Sequence, residues 1–470
     1  MSTTVNIKYK DIISYILVFF LCMLVSLLVY FFGDYNGYEL LFTQPIIFGL
    51  LYVIILGKFV QSDKRNLFFL VLISISFIRY VVLPLFIVIS NYYGGRSAIE
   101  PESFSFYKAI LLMNYELLVI SFFIWVMDKT STKKIGVNKE SFNQDITSNG
   151  NDIVYILSSI FAVGGIILYP SVLHSINFVI PKATDVELNL LENFIVYLFI
   201  ISKQLLFIMA SKKLFRKYIK SRSQTIIFVN FLVAILNICV YYGTNRSDIL
   251  ISFIVSFLLL HKLYGKNIRK YIIIGVTLII LILGVVTTAR EHASISGGTN
   301  FTKDLTDTLQ VYTGGPYNVA IAIETKQYFP DANNPSVLFF DIFRPMIGVN
   351  ILVKNLPFEY SNIYYNKRMW LDIDRRSQIL PMIGQGNLYF GFFLAPIFSL
   401  LFIGLFYLLN KRIQITNNLE VYYFLSLVIV RLGFFMGQNT MNMINDLSMN
   451  LVLFLFIFYL NRLVKNSIKL

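Results

Sequence analysis

Windows of about twenty apolar residues recur from one end of this chain to the other, and no other feature of the sequence excludes so many folds. A bilayer's hydrocarbon core, ~30 Å thick, takes ~20 residues of helix at ~1.5 Å rise per residue. Helical spans are expected over residues 11–32, 38–60, 66–91, 107–127, 152–169, 191–210, 224–242, 248–264, 271–289, 387–409, 419–436 and 447–463. With 56% of residues hydrophobic and only 14% charged, the chain has too little polar surface for a water-soluble globule. The expected fold class is an all-α polytopic membrane protein with about twelve transmembrane helices. The first span is too long, and too regularly followed by others, to be a cleaved signal peptide.

Orientation follows from the lysines and arginines, which concentrate on the cytoplasmic side. Lys8 and Lys10 precede the first span, and every second loop after it is basic. The series runs through Lys64 and Arg65; Lys129, Lys133, Lys134 and Lys139; Lys212 to Arg222; Lys262 to Lys270; Lys411 and Arg412; and a tail with Arg462, Lys465 and Lys469. Both termini are therefore expected in the cytoplasm. The net charge of +14 then reads as a topology signal and an attraction to anionic lipid, with no nucleic-acid partner. Cys22 and Cys239 both fall in apolar spans and support neither a disulfide framework nor a metal site.

One stretch breaks the rhythm. Residues 1–289 hold nine spans with short loops, residues 290–386 form a large polar segment on the extracytoplasmic side, and residues 387–470 hold three more spans and a tail. Within the long segment, Phe301–Val311, Pro316–Tyr328 and Pro335–Phe343 read as short amphipathic helices separated by breakers such as Gly314-Gly315-Pro316. A connection of that length is functional or disordered, and its aromatic and branched aliphatic content argues for order.

The chemistry is sought on that side. Arg246 lies in the tight outer turn Tyr241-Tyr242-Gly243-Thr244-Asn245-Arg246-Ser247, and Arg290 follows the outward span ending Thr287-Thr288-Ala289. At headgroup depth an arginine is a fixed cation whose planar fork of donors suits phosphate oxygens. Two of them from different helices could clamp a lipid diphosphate; the plainer account is contact with lipid headgroups. Arg344, in Asp341-Ile342-Phe343-Arg344-Pro345, is a third candidate, its plainer account being a salt bridge to Asp341. One of the pair Arg375 and Arg376, with Arg376 preferred, is the fourth.

For a proton acceptor, Arg290-Glu291-His292 could set His292 beside a phosphate-binding cation, although a lone loop histidine is more often a bystander. Glu291, Glu324 and Asp341 are rival bases. Asp372-Ile373-Asp374 has the spacing of a carboxylate pair that holds a divalent cation against a diphosphate, but Arg375 and Arg376 beside it can neutralise both aspartates, and no metal is expected. Four charges fall inside expected spans, where charge is costly without a partner or a polar cavity: Arg79, Glu116, Lys203 and Arg431. Arg79 and Glu116 read as a structural ion pair between neighbouring antiparallel helices, Lys203 as a snorkelling residue, and Arg431 as lining an outward cavity. In Leu380-Pro381-Met382-Ile383-Gly384-Gln385-Gly386-Asn387-Leu388-Tyr389-Phe390-Gly391, Gln385, Asn387 and Tyr389 suit a tight re-entry turn that exposes hydrogen-bonding groups to a sugar. Asn245 and Tyr312 complete the expected cavity lining.

About twelve spans, the late outer segment, the Gly-Thr-Asn-Arg-Ser turn, the Tyr312-Thr313-Gly314-Gly315-Pro316 stretch and the Asn-Leu-Tyr-Phe-Gly re-entry together resemble the bacterial O-antigen and capsular polysaccharide polymerases, the Wzy family. The resemblance covers most of the chain in layout and few residues in detail. It implies a GT-C-like glycosyltransferase of the bacterial cytoplasmic membrane that joins undecaprenyl-diphosphate-linked repeat units on the outer face, without metal or cofactor. The partners implied are the lipid-linked donor and acceptor glycans, membrane lipids, a chain-length regulator and a flippase. Arg246 and Arg290 match the family's phosphate-binding arginines in placement. The related O-antigen ligases carry a histidine late in the outer loop, which the re-entry segment here lacks. Two other readings stay open. A flippase for the same lipid-linked oligosaccharide also wants about twelve helices, but no segment like 290–386. A metal-dependent lipid-phosphate-sugar transferase wants an acid in the first outer loop, where Asp34 is available.

Overall fold

The computed structural model describes residues 9–60, 66–130, 152–178, 188–242, 246–288, 295–372 and 377–467. These are helical almost throughout. The strand structure among them is a short antiparallel ribbon, Ile176–Phe178 against Val240–Tyr242, with Ile176 opposite Tyr242. Seven described stretches are long and apolar enough to cross a membrane: Ile12–Phe32, Leu67–Ile89, Ser103–Thr130, Leu191–Ser221, Asp248–Ile282, Ile397–Ile415 and Thr440–Ser467. The fifth holds two of the expected spans, folded about the 3-10 turn Gly265–Ile268, where Gly265 adopts φ +58°. Thr43–Phe59, Ile153–Leu168 and Gln224–Cys239 are apolar but shorter. The protein is an all-α membrane protein.

Two expected spans are built differently from the single helices that hydropathy predicts. The span 224–242 stops at Cys239, because Val240, Tyr241 and Tyr242, β-branched or aromatic, pair as a strand instead. The span 387–409 is two helices. Met382–Leu394 is interrupted at Gly391 (φ 73°, ψ −176°), and Ile397–Ile415 starts directly after Pro396, whose fixed φ and missing N–H suit the start of a helix. Gly386 permits this fold-back, since a methyl group there would collide with the Ala395 carbonyl. Leu67–Ile89 also changes character midway, passing through a π-helical turn at Ile78–Val82. Pro84 explains that turn: its ring would press on the carbonyl of Tyr80, four residues back, and the wider turn relieves the clash.

The chain divides into two compact units. The first comprises Met1–Lys133, Ser294–Leu408 and Arg431–Asn445; the second comprises Lys134–Ala293, Leu409–Val430 and Asp446–Leu470. The long polar segment thus belongs, from Ser294 onward, with the first helices of the chain.

In the first unit, Phe301–Thr313 and Pro316–Tyr328 form a helical hairpin. Its first arm runs antiparallel to Leu83–Ile89: Thr306 Oγ1 bonds the Phe86 carbonyl at 3.2 Å and meets Ser90 Oγ at 2.9 Å, whereas Gly315 lies against Leu83. The turn is set by Gly314 in the left-handed region (φ 64°) and by Pro316 at the start of the second arm. That second arm packs on the helices Ser103–Thr130, Ser361–Trp370 and Met382–Leu394, and every residue from Pro316 to Thr325 is buried. The expectation of an amphipathic helix there fails. The consecutive residues Val319 to Ile323 put apolar side chains on every face of the arm, and its polar side chains find partners within the unit.

Arg79 and Glu116 make the expected ion pair, 2.8 Å apart, with both side chains inaccessible to solvent. Glu116 also accepts from Ser399 Oγ at 3.0 Å, and Tyr80 OH donates to the Met113 carbonyl at 3.1 Å. Among the described residues, Arg79 Nε and one of its terminal nitrogens have no hydrogen-bond partner.

The second unit has its own polar core. Lys212 pairs with Glu420 at 2.6 Å; Asn237 donates to Ser256 (3.1 Å) and Tyr423 (3.2 Å); Asn230 donates to Tyr264 at 2.9 Å. Lys203 does not snorkel. Its ammonium donates to the carbonyls of Asn237 and Val240, both at 2.6 Å, and so caps the C-terminal end of Gln224–Cys239, where unpaired carbonyls and the helix dipole attract a cation.

Replacing one partner of the Arg79–Glu116 pair leaves the other charge buried, which typically costs about 3–5 kcal/mol. Arg79→Met and Glu116→Leu are each expected to lower the thermal unfolding midpoint in detergent sharply, and the double variant to lower it less than either alone. Additive losses would show that the pair is not coupled.

Candidate functional site

Asp341 lies one turn from the end of the helix Pro335–Phe343, which starts cleanly because the Asn334 side chain accepts from Ser336 N and Pro335 occupies the first turn. Asp341 is fully buried and accepts hydrogen bonds from three residues on two other helices, Ser361–Trp370 and Met382–Leu394. Ser361 N donates to Oδ1 at 3.1 Å, and Ser361 Oγ, Gln385 Nε2 (2.7 Å) and Tyr389 OH (2.8 Å) donate to Oδ2. Gln385 in turn donates to Thr440 Oγ1 and accepts from Thr440 N, both at 2.8 Å, which caps the start of the last long helix. One carboxylate therefore joins the polar segment to the helices that follow it.

An amide lattice adjoins this cluster. Asn362 and Asn366 both donate to the Gln378 carbonyl, at 3.1 and 2.8 Å; Asn362 Oδ1 accepts from Leu380 N at 2.8 Å and from Asn439 at 3.2 Å. Together these bonds fix the path of residues 377–382 into the helix carrying Gln385.

Two ion pairs brace the other side of the hairpin. Glu324, fully buried, pairs with Arg368 and accepts from Glu102 N at 2.7 Å. Arg96 binds Asp307 Oδ2 through Nε (2.8 Å) and a terminal nitrogen (2.5 Å). Burial raises the Asp307 carboxyl above its ordinary range, and Arg96 opposes the shift.

Of the residues singled out in the sequence, the structure gathers Asp341, Gln385 and Tyr389. Gln385 is not an exposed sugar contact: Gly384 packs so closely on Ala322 that the segment is a buried helix, not an open turn. Asn387 is half-buried, with no side-chain hydrogen bond among the described residues. Arg344 makes no salt bridge to Asp341; its guanidinium lies 5.8 Å from the Phe340 ring centre, and its buried Nε has no hydrogen-bond partner among the described residues. Glu324 is engaged by Arg368 and is not a free base. Tyr312 is exposed and Arg431 buried, and the four hydrogen bonds to Asp341 come from neither. Asn245, Arg290, Glu291, His292 and Arg376 lie outside the described residues; Arg246 begins a helix, but its side chain lies outside them too.

Ser361, Thr440, Arg96, Asp307 and Arg368 escaped the sequence reading. Arg96 had a signal in the short polar stretch Tyr92 to Glu102, where aromatics, glycines and charges alternate between two spans. Ser361 and Thr440 had none, because an isolated hydroxyl carries no pattern.

With its oxygens taken by four donors, Asp341 would have to release one before it could abstract a proton. As it stands, the carboxylate orients the Tyr389 hydroxyl and the Gln385 amide. No protein family, characterised protein or solved structure matches this chain. Fold and site define an all-α membrane protein with a buried carboxylate network in its polar segment.

Burial raises the Asp341 carboxyl above its ordinary value, partly offset by Ser361, Tyr389 and Gln385. A carboxyl shifted that way stabilises the fold fully below its unfolded value of ~3.9 and loses that contribution as pH rises through the folded value. Asp341→Asn removes the titration. The wild-type unfolding midpoint, measured relative to this variant, is therefore expected to fall as pH rises from about 4 and then level off. A difference that stays flat would show an unshifted carboxyl.

Proposed function

We propose that the protein is a polysaccharide polymerase of a bacterial cytoplasmic membrane, with twelve crossings in a GT-C-like arrangement and both termini in the cytoplasm. It joins undecaprenyl-diphosphate-linked repeat units on the outer face. The observation that carries this reading is the integration of the polar segment. A mere tether between spans has no need of a buried hairpin, two braced ion pairs and a carboxylate cluster shared with the following helices.

In the proposed reaction an acceptor hydroxyl oxygen attacks the anomeric carbon of the growing chain. The bond from that carbon to the lipid diphosphate breaks, and the diphosphate leaves with the electron pair. Arg246, Arg290, Arg344 and Arg376 are the proposed cations for the charge that develops. His292 or Glu291 takes the hydroxyl proton, and Asp341 positions Tyr389 near the sugar. The lipid diphosphate is itself the leaving group, so neither nucleotide nor metal enters the scheme.

The charges inside spans favour a second reading, a flippase for the same lipid-linked oligosaccharide. Against it, Arg79 and Glu116 neutralise one another and Lys203 is held by two backbone carbonyls.

Reconstituted protein given lipid-diphosphate-linked repeat units and a chelator should produce a ladder of lengthened glycans on a gel. Arg246→Ala, Arg290→Ala and Arg344→Ala should each slow it by ~10²–10³-fold, as loss of a donor to developing charge does elsewhere, and Tyr389→Phe should slow it less. Absence of a ladder, together with passage of labelled lipid across the vesicle membrane, would establish the flippase instead.

A further inference from the structure

The segment 342–358, directly after Asp341, is more apolar than its place outside the long spans requires. It reads Ile-Phe-Arg-Pro-Met-Ile-Gly-Val-Asn-Ile-Leu-Val-Lys-Asn-Leu-Pro-Phe, with two cations and no acidic residue. Gly348 turns the chain at φ 84°, and the short helix Val349–Val353 follows. Only Val353 of that helix is buried; Leu352 is 81% exposed and Ile351 56%, with Leu356 and Phe358 exposed beyond them. Lys354 is exposed beside them, and Arg344 stands at the other end, its Nε without a partner among the described residues.

We propose that residues 348–358 dip into the lipid leaflet that borders the polar segment, the outer one in the orientation given by the basic loops. Water penalises exposed aliphatic side chains at ~25 cal/mol per Å², and a contiguous patch of them marks a contact surface. Three observations identify lipid as the occupant. The segment is tethered close to the membrane, since Asp341 immediately before it is bonded to Tyr389, eight residues ahead of the span Ile397–Ile415. Phe393 and Leu394, between that tyrosine and the span, are themselves exposed as lipid-facing residues are. The charges are of one sign, Arg344 and Lys354, and match the phosphates of a headgroup layer, whereas a protein partner would call for paired signs. The segment then acts as a peripheral anchor that sets the depth of the Pro335–Phe343 helix, and with it Asp341, relative to the leaflet.

The test uses the full chain with Cys22→Ala and Cys239→Ala, carrying Leu352→Cys or Thr299→Cys labelled with an environment-sensitive NBD dye and reconstituted in phosphatidylcholine vesicles. Leu352 is exposed, so its label does not disturb a core. The Leu352 label should emit at shorter wavelength than the Thr299 label and be quenched at least about twofold more by lipid bearing a nitroxide at acyl carbon 5, with aqueous iodide quenching it less. Iodide quenching without nitroxide quenching would overturn the proposal in favour of a solvated loop. A blue shift with neither form of quenching would overturn it in favour of a second copy of the chain covering the patch.

Discussion

Backbone amides and carbonyls that leave water must pair with something, and this requirement governs the first unit. A polar segment can pack against apolar helices only after its own peptide groups are satisfied. Helix answers most of that demand, and the ends of helices create what remains. Asn300, Asn334 and Asn66 accept from first-turn amides, Gly314 takes the left-handed turn that closes the first arm of the hairpin, and Thr440 trades bonds with Gln385 at the start of the last long helix. Once the ends are closed, the arm Pro316–Tyr328 presents only side chains to its surroundings, and small residues let it lie close to its neighbours. Ala322 lies against Gly384 and Tyr317 against Gly95 in this way.

Buried charge follows the same economy of partners. Arg79 and Glu116 neutralise each other at a π-helical turn; Glu324 and Asp307 each hold an arginine from a different segment. Asp341 alone among these carboxylates holds no cation and is satisfied by neutral donors. Burial keeps the proton affinity of Asp341 high, its neutral donors offset part of that rise, and the bonds hold those donors well oriented, a combination suited to tuning a neighbouring hydroxyl. Arg344, a few residues on, is left with an unused donor.

Hydropathy made the helical membrane class legible, because length and apolar content are properties of a window and need no knowledge of partners. The same windows misjudged 224–242 and 387–409, where Val240-Tyr241-Tyr242 pairs as a strand and Gly391 breaks the helix. Helix limits in the polar segment were readable from Gly and Pro, yet the burial of Pro316–Tyr328 was not: periodicity describes one helix, whereas burial depends on which others surround it. Charge pairing was legible for Arg79 and Glu116, since two costly residues at matching depth in adjacent spans have few alternatives. It was not legible for Asp341, whose partners are a serine, a glutamine and a tyrosine scattered over residues 361–389. Asp341, Gln385 and Tyr389 were each picked out for their chemistry, and their meeting is a product of tertiary structure alone.

The first unit is discontinuous in sequence: most of it is complete by Leu408, but it also takes Arg431–Asn445. Thr440, which supplies both a donor and an acceptor to Gln385, belongs to that last piece. A ribosome must therefore deliver the chain through Thr440 before the network around Asp341 can close, and until then Gln385 holds its carboxylate contact but lacks its final partner. The order of synthesis thus reserves assembly of this site for a chain in which the helix Thr440–Ser467 has begun to emerge.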